Sequence, residues 1–286
     1  MASKNPVIKT LIYESIFDFP LKKEEIWKYL ISDKPVGKKD FEEYLKDKKI
    51  YFDKKTGLYS LKKNNEIFQK RLVRERISLE KNKIAKRSAK FLSVIPTIEL
   101  VGISGSLAQF SSDEDDDIDF FIICRKNTVW TTRFFAVVFL KFKNLYRTDT
   151  QIKDKICLNM ITDTYSFSRD RKDLYNAFEI AQMRPFFKNK SYEKFIYENS
   201  WVNKFLPNFK IPFPKIESFD KSENKILDIF LKIILVLQFE KAAKLIQKIY
   251  MKRITSETVT DTLLAFHPRD FKVEIMQKFE AKGRDY

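Results

Sequence analysis

The amino-acid sequence predicts an α+β protein in which a small mixed sheet lies between two helical regions. Apolar residues recur at helical spacing through the first 60 residues and again through the last third of the chain. Between these regions, three nearly continuous apolar runs are typical of buried strands, at 97–104, 117–124 and 156–161. With 286 residues, of which 44% are hydrophobic, the chain has room for more than one core.

Residues 1–62 predict a winged-helix-like domain. Helical patterns cover 6–18, 22–31 and 40–48, and two alternating runs at 50–61 predict a β-hairpin. The third helix of such a domain would enter the major groove in a DNA reader. Here its basic residues are nearly balanced by acidic ones, so the pattern favours a docking or interaction role over sequence-specific DNA binding.

Residues 63–96 predict one long basic helix that links this domain to the sheet. From Lys62 to Lys90 there are eleven Lys or Arg residues and three Glu, together with an apolar stripe at helical spacing that Pro96 ends. Such a helix is either a solvated linker or a surface that neutralises the phosphates of RNA or DNA. The formal net charge of +16 admits polyanionic partners, although part of the excess reflects general use of lysine.

Residues 171–286 predict a helical domain. Helical periodicity recurs at 172–183, 192–205 and 225–250, and a proline-bearing linker at 207–214 interrupts it. This domain is expected to complete a cleft with the sheet.

The sequence predicts a cytoplasmic protein without a membrane anchor. No charged and then apolar leader opens the chain, and the most apolar stretch, 226–239, is short and contains Asp228 and Lys232. The two cysteines, Cys124 and Cys157, each lie in an apolar strand pattern without a CxxC pair. We therefore expect two buried thiols.

The residues that carry chemistry lie between the first two predicted strands. Gly105 and Ser106 form a turn, in a region that holds two of the five glycines of the chain within four residues. After ten further residues, Asp117 and Asp119 alternate with apolar residues, so both carboxylates share one face of the second strand. An unpaired carboxylate in an apolar strand is costly, and carboxylates suit Mg²⁺ and Mn²⁺. The pair therefore predicts a metal site.

In order and spacing, these residues resemble the signature of the DNA polymerase β-like nucleotidyltransferase superfamily. That signature is an apolar residue, Gly-Ser or Gly-Gly, an interval whose length the ten residues 107–116 match, and then Asp-apolar-Asp-apolar. The resemblance covers roughly 97–165 and implies a nucleotidyltransferase core at 97–170. It also implies a small mixed sheet, a bound Mg²⁺ or Mn²⁺, and transfer of a nucleoside monophosphate from a nucleoside triphosphate to an acceptor.

The same resemblance implies a third carboxylate on a neighbouring strand, where this chain has Asn159. Three alternatives stand: Asn159 itself ligates the metal through its amide oxygen, Asp163 or Asp154 beside the strand substitutes, or the third ligand is absent. Three basic residues that flank this strand are candidates to contact the triphosphate: Lys153, Lys155 and Arg147.

The sequence thus predicts an enzyme that moves a nucleoside monophosphate from a triphosphate such as ATP to an acceptor hydroxyl, with a nucleic-acid 3′ end as the favoured acceptor. Asp117 and Asp119 would hold the metal, and Gly105 and Ser106 the triphosphate. One alternative is a regulatory module that binds nucleotide or nucleic acid with weakened catalysis, which Asn159 would permit. Another is a toxin-like transferase that modifies a cellular protein or RNA.

Overall fold

The computed structural model describes residues 4–164, 172–186, 190–210, 226, 229, 239–251, 258–266 and 269–286. The fold is mixed α+β, as predicted. The predicted helix at 225–250 is described continuously only from Phe239 onwards, and the predicted linker at 207–214 only as far as residue 210; the remainder of both, with most of the apolar stretch 226–239, lies outside the described residues. None of the helices in the described ranges is both long and apolar enough to cross a membrane.

Three short helices and a hairpin form the N-terminal region, in the predicted order. The helices are α1 (Pro6–Glu14), α2 (Lys23–Lys28) and α3 (Lys38–Tyr44), and strand β1 (Tyr51–Asp53) pairs antiparallel with β2 (Leu58–Ser60). Their apolar faces meet in one buried core: Val7, Leu11, Phe19, Leu21, Ile26, Leu30 and Phe41.

The basic segment is a single helix, α4 (Asn65–Leu92). The side chain of Asn64 caps its start by accepting from the backbone N–H of Glu66 at 3.0 Å. Near this end Phe68 packs against Tyr51 of the hairpin, whereas Ala89 and Leu92 at the other end are buried in the core of the sheet. The helix therefore joins the N-terminal region to the sheet, as the sequence predicted.

Six strands of the described chain form one mixed sheet, in the order β6-β3-β4-β5-β8-β7. These strands are β3 (Ile98–Ile103), β4 (Ile118–Cys124), β5 (Ile156–Asp163), β6 (Arg184–Pro185), β7 (Thr258–Val259) and β8 (Leu263–Ala265). The central strand β4 runs antiparallel to β3 and parallel to β5. A four-residue helix, α5 (Gly105–Ala108), follows β3 directly.

The region 171–286 is not purely helical, which differs from the prediction. It supplies β6 to one edge of the sheet and the hairpin β7–β8 to the other. Each of these strands has only two or three residues, and no glycine turn marks them as Gly57 marks the hairpin β1–β2, so they could not be recognised in the sequence. They form because the longer strands β3 and β5 each present an edge to which a short strand can pair: β6 pairs with β3, and β8 pairs with β5.

Helices cover both faces of the sheet. On one face α4 packs with α6 (Val129–Phe142) and α9 (Phe239–Met251), and Glu240 of α9 accepts from the backbone N–H groups of Trp130 and Thr131 at the start of α6. On the other face lie α7 (Leu174–Gln182), α8 (Lys190–Glu198) and α10 (Arg269–Gly283). This second face carries Asp117 and Asp119.

Candidate metal centre

Asp117 and Asp119 lie at the start of β4, on the face covered by α7. The intervening Ile118 and the following Phe120 are fully buried on the opposite face, so the alternation places the two carboxylates together, as predicted. The backbone N–H of Ser104, just after β3, donates to the carbonyl oxygen of Asp119 at 3.0 Å. The pairing of β3 with β4 therefore brings the Gly-Ser turn against the acidic pair.

Gly105 contacts the carboxylate of Asp119 closely. Its φ of +63° lies in the left-handed region that favours glycine, and a Cβ atom at this position would lie 2.5 Å from Oδ2 of Asp119. Any other residue would have to displace that carboxylate. Both the turn and the close approach explain why a glycine stands here.

The hydroxyl of Ser106 is held by the acidic loop that precedes β4. It donates to Oδ2 of Asp116 at 3.0 Å and lies 3.1 Å from the hydroxyl of Ser112. The same oxygen of Asp116 accepts from the backbone N–H of Asp113 at 2.9 Å. Asp116 therefore orients the Gly-Ser turn.

The residue that β5 places beside Asp119 is Cys157. The parallel register pairs Asp119 with Cys157, whose Sγ and the oxygens of Asp117 and Asp119 all lie within 4.8 Å of one another. Across the described ranges, these three side chains are the one group of His, Cys, Asp and Glu residues close enough to share a metal ion. The third position next to the aspartate pair is thus occupied by a thiol.

Asn159 lies in a bulge of β5. Four residues of β5, from Cys157 to Met160, match three residues of β4, from Asp119 to Phe121. Asn159 is buried, and its Nδ2 lies 3.4 Å from the hydroxyl of Ser104. The register of two strands so distant in sequence is not encoded in their apolar pattern, which is why Cys157 was missed. One signal was available, since Asp119 and Cys157 are each the second residue of their strand.

The structure does not bring the other two candidate carboxylates to this centre. Asp163 lies at the opposite end of β5, paired with Cys124, and its Oδ2 accepts from the backbone N–H of Asn127 at 3.1 Å. Asp154 accepts from the ammonium of Lys81 at 2.8 Å. Asp163 is therefore not placed to share a metal ion with the aspartate pair.

Of the predicted triphosphate contacts, Arg147 reaches the centre and Lys155 binds elsewhere. Nε of Arg147 lies 2.7 Å from Oδ2 of Asp117, an ion pair in which the N–H is not aligned for a hydrogen bond. The ammonium of Lys155 donates to the carbonyl oxygen of Asn144 at 2.6 Å. Arg147 is thus the guanidinium beside the acidic pair.

The electrostatic environment of the centre favours binding of a cation. Burial raises the pKa of Asp119 to about 7, and the charge of Asp117 adds to this rise. Burial also raises the pKa of Asp117, against the opposing effect of Arg147. The pKa of the Cys157 thiol is raised by burial and by both carboxylates. Each negative charge is therefore costly here without a compensating positive one.

A further acidic side chain that the sequence did not single out faces this region. Glu179 of α7 contributes to the raised pKa of Asp119 and lines a small cleft together with Ser104, Phe121 and Met160. Helical periodicity assigned Glu179 to a helix, but only the packing of α7 on the sheet places it beside the aspartates.

The basic helix α4 uses several of its cations inside the protein. Three inward side chains bind acidic groups or carbonyl oxygens: Arg71 binds Glu25, Arg74 binds Asp113, and Lys81 binds Asp154 and the carbonyls of Glu114 and Asp116. Two of these contacts tie α4 to the acidic loop before β4. On the outer face, four exposed cations follow helical spacing: Arg76, Lys83, Arg87 and Lys90.

No model of a known protein family matches the chain, and neither curated protein sequences nor solved structures give a match.

Proposed function

We propose that this protein is a metal-dependent nucleotidyltransferase with a polymerase β-like core, which moves a nucleoside monophosphate from a nucleoside triphosphate to an acceptor hydroxyl. The observation that carries this proposal is the convergence of Asp117 and Asp119 with the Gly105–Ser106 turn at one end of the sheet. A phosphate-binding turn beside a carboxylate pair is the arrangement that phosphoryl transfer requires.

The donor atoms present fit a divalent cation. Two carboxylates from one strand and a thiol from the next offer ligand atoms within 4.8 Å of one another. Asp117 and Asp119 would hold the cation, and Cys157 lies beside them. When bound, the cation neutralises phosphate charge and lowers the pKa of the attacking hydroxyl.

The residues of the chain would orient the triphosphate next to that cation. The first backbone N–H groups of α5 have no acceptor within their own helix, so the turn at Gly105 and Ser106 can donate to phosphate oxygens. Asp116 keeps the Ser106 hydroxyl at this turn. Arg147 is close enough to exchange Asp117 for a phosphate oxygen once a cation occupies the pair.

The favoured acceptor is a nucleic-acid 3′ end, and the outer stripe of α4 supports this choice. Arg76, Lys83, Arg87 and Lys90 are exposed along one face of the helix, which suits a phosphate backbone. The inward cations of α4 are engaged with acidic groups and would not contribute.

The proposed activity is tested by incubating the protein with each labelled nucleoside triphosphate, divalent cations, and RNA, DNA and protein acceptors. Wild type is expected to transfer label, and Asp117→Asn and Asp119→Asn to abolish transfer. Asp115→Asn is the matched control, because this side chain in the same acidic run is 95% exposed and should not matter. Binding of nucleotide without transfer in wild type would contradict the proposal and favour a regulatory module.

The acceptor is tested by reversing two charges of the stripe. Arg87→Glu with Lys90→Glu is expected to weaken binding of single-stranded RNA and to reduce the salt slope of log K by about one to two. The control is Lys38→Glu with Lys39→Glu on α3, where both side chains are also exposed. Equal losses in the two double variants would show a general charge effect and contradict a specific surface.

A further inference from the structure

We propose that Cys157 is the third ligand of this metal centre, and that the centre takes a thiophilic divalent cation of the Zn²⁺ or Co²⁺ type in preference to Mg²⁺. This inference rests on the proposed function for the role of the cation, and it names the class of cation that the site selects. Cys157 belongs neither to the Asp117–Asp119 motif nor to the residues that the sequence offered as a third ligand.

The strand register places the thiol where a third donor belongs. Asp117 and Asp119 share one face of β4, and the parallel pairing sets Cys157 directly beside Asp119. All three ligand atoms lie within 4.8 Å of one another, and all three side chains remain partly exposed. Three protein ligands on one side leave further coordination positions open towards solvent, as in catalytic zinc sites.

The chemistry of the donor set decides which cation is favoured. Mg²⁺ prefers oxygen ligands in near-ideal octahedral geometry, whereas Zn²⁺ and Co²⁺ accept mixed sulfur and carboxylate ligands. Coordination replaces the S–H bond of Cys157 by a sulfur–metal bond, and the proton leaves to solvent. No oxidation or reduction takes place.

The other cysteine, Cys124, has different neighbours from those of Cys157. Cys124 is fully buried, and its thiol has the hydroxyls of Thr128 and Thr132 as hydrogen-bond partners. Its strand neighbour Asp163 already accepts from a backbone N–H. The thiol of Cys157 instead has the carboxylate of Asp119 as its hydrogen-bond partner and lies beside Asp117 as well, so a cation at this point would neutralise both carboxylates.

The test is titration of the metal-free, reduced protein with Co²⁺, followed by its absorption spectrum. Wild type is expected to show a sulfur-to-cobalt charge-transfer band, and Cys157→Ser and Cys157→Asp to lose it. Cys124→Ala should keep the band and serves as the matched control. Asp119→Asn is expected to weaken Co²⁺ binding at least tenfold, because it removes a neighbouring ligand.

The second measurement is the ratio of Zn²⁺ to Mg²⁺ affinity by competition. Cys157→Asp is expected to reduce this ratio by at least about tenfold, because an oxygen ligand replaces a sulfur. Tight Mg²⁺ binding by Cys157→Asp also shows that this variant is folded. Loss of the cobalt band in Cys157→Asp then reports the missing sulfur ligand and not misfolding. A wild-type protein without the band, or a band retained in both Cys157 variants, overturns the inference.

Failure of the inference and failure of the proposed function give different results. Nucleotidyl transfer supported by Mg²⁺, with no cobalt–sulfur band and no effect of Cys157→Ser, retains the function and overturns the thiol ligand. A band that depends on Cys157, in a protein that transfers no label with any cation, retains the metal site and contradicts the enzyme.

Discussion

The two ends of the β4–β5 pair carry the same residue types in different settings. At one end Asp119 pairs with Cys157, and at the other Cys124 pairs with Asp163. Asp163 is fully buried and accepts from the backbone N–H of Asn127, and Cys124 is fully buried with threonine hydroxyls as partners. Asp119 instead has a second carboxylate, Asp117, on the same strand face.

This contrast separates a structural carboxylate from a functional one. At the far end the chain itself supplies a donor, so the charge is compensated within the fold. At the near end Arg147 pairs with Asp117 and the Cys157 thiol donates to Asp119, but burial still raises the pKa of both carboxylates. Holding both charges there has a cost in stability that a bound cation would remove. Residue type alone does not distinguish these two roles, whereas the partners do.

The largest expected effect comes from replacing the carboxylate of Asp119 by an amide. Asp119→Asn is expected to reduce nucleotidyl transfer about a thousandfold, because it removes a metal ligand worth several kcal/mol in the transition state. It should also raise the free energy of unfolding of the metal-free protein above pH 7, since the charge it removes is disfavoured in the fold. Label transfer and urea unfolding measure the two effects.

Asp163→Asn is the matched control at the far end. We expect it to retain transfer and to lose about 1 kcal/mol of stability, because a charged acceptor of a buried N–H is weakened. Loss of activity in Asp163→Asn, or loss of stability in metal-free Asp119→Asn, would contradict the distinction between the two ends.

Glu14 of α1 extends the comparison to a buried carboxylate away from the strand pair. Burial raises its pKa from 4.5 to about 8, and one of its carboxylate oxygens lacks a hydrogen-bond partner. Between pH 4.5 and about pH 8, the carboxyl group of Glu14 is protonated in the folded protein and ionised in the unfolded chain. Stability should therefore fall as pH rises from 4.5 to 8, by up to about 1.4 kcal/mol per pH unit, and level off above pH 8.

Glu14→Gln should remove the contribution of this group, including the part of the slope between pH 7 and 8, because the amide does not titrate; the raised pKa of Asp119 acts in the same direction up to about pH 7 and should persist. Urea unfolding at several pH values measures the slope, and Glu24→Gln on the exposed side of α2 is the control that should retain it. An unchanged slope in Glu14→Gln would show that another group is responsible.

Lys81 tests what holds the acidic end of β4 in place. Its buried ammonium binds Asp154 and the carbonyl oxygens of Glu114 and Asp116, at 2.7 to 3.0 Å. Lys81→Met is expected to cost about 2–3 kcal/mol, since buried acceptors lose their donor, and to reduce transfer as the loop shifts. Lys70→Met, which removes an exposed lysine on the same helix outside the outer stripe, should change neither thermal unfolding nor activity.

The smallest expected effect comes from a single methyl group at the turn. Gly105→Ala combines left-handed strain with a contact of 2.5 Å to Asp119, and should cost about 1–2 kcal/mol and lower activity. Gly57→Ala introduces the same strain at φ +74° in open space, so it isolates the backbone contribution. Equal activity of the two variants would show that the turn does not act on the carboxylate.

The sequence predicted most of the architecture because its signals are local. Helical spacing gave the first three helices and α4, and apolar runs gave β3, β4 and β5 within a few residues of their bounds. The strands β6, β7 and β8 could not be predicted, since each has two or three residues and no glycine turn joins them as Gly57 joins β1 and β2. Their pairing depends on an edge supplied by distant parts of the chain.

The same division applies to the candidate site. The sequence by itself determined that Asp117 and Asp119 share a face and that the Gly-Ser turn precedes them, because a period of two and a glycine turn are properties of a few adjacent residues. Only the tertiary structure decided that Cys157 lies beside the pair and that Asp163 lies at the opposite end of β5. The register and the bulge between β4 and β5 are fixed by the packing of the whole sheet, about 40 residues apart in sequence.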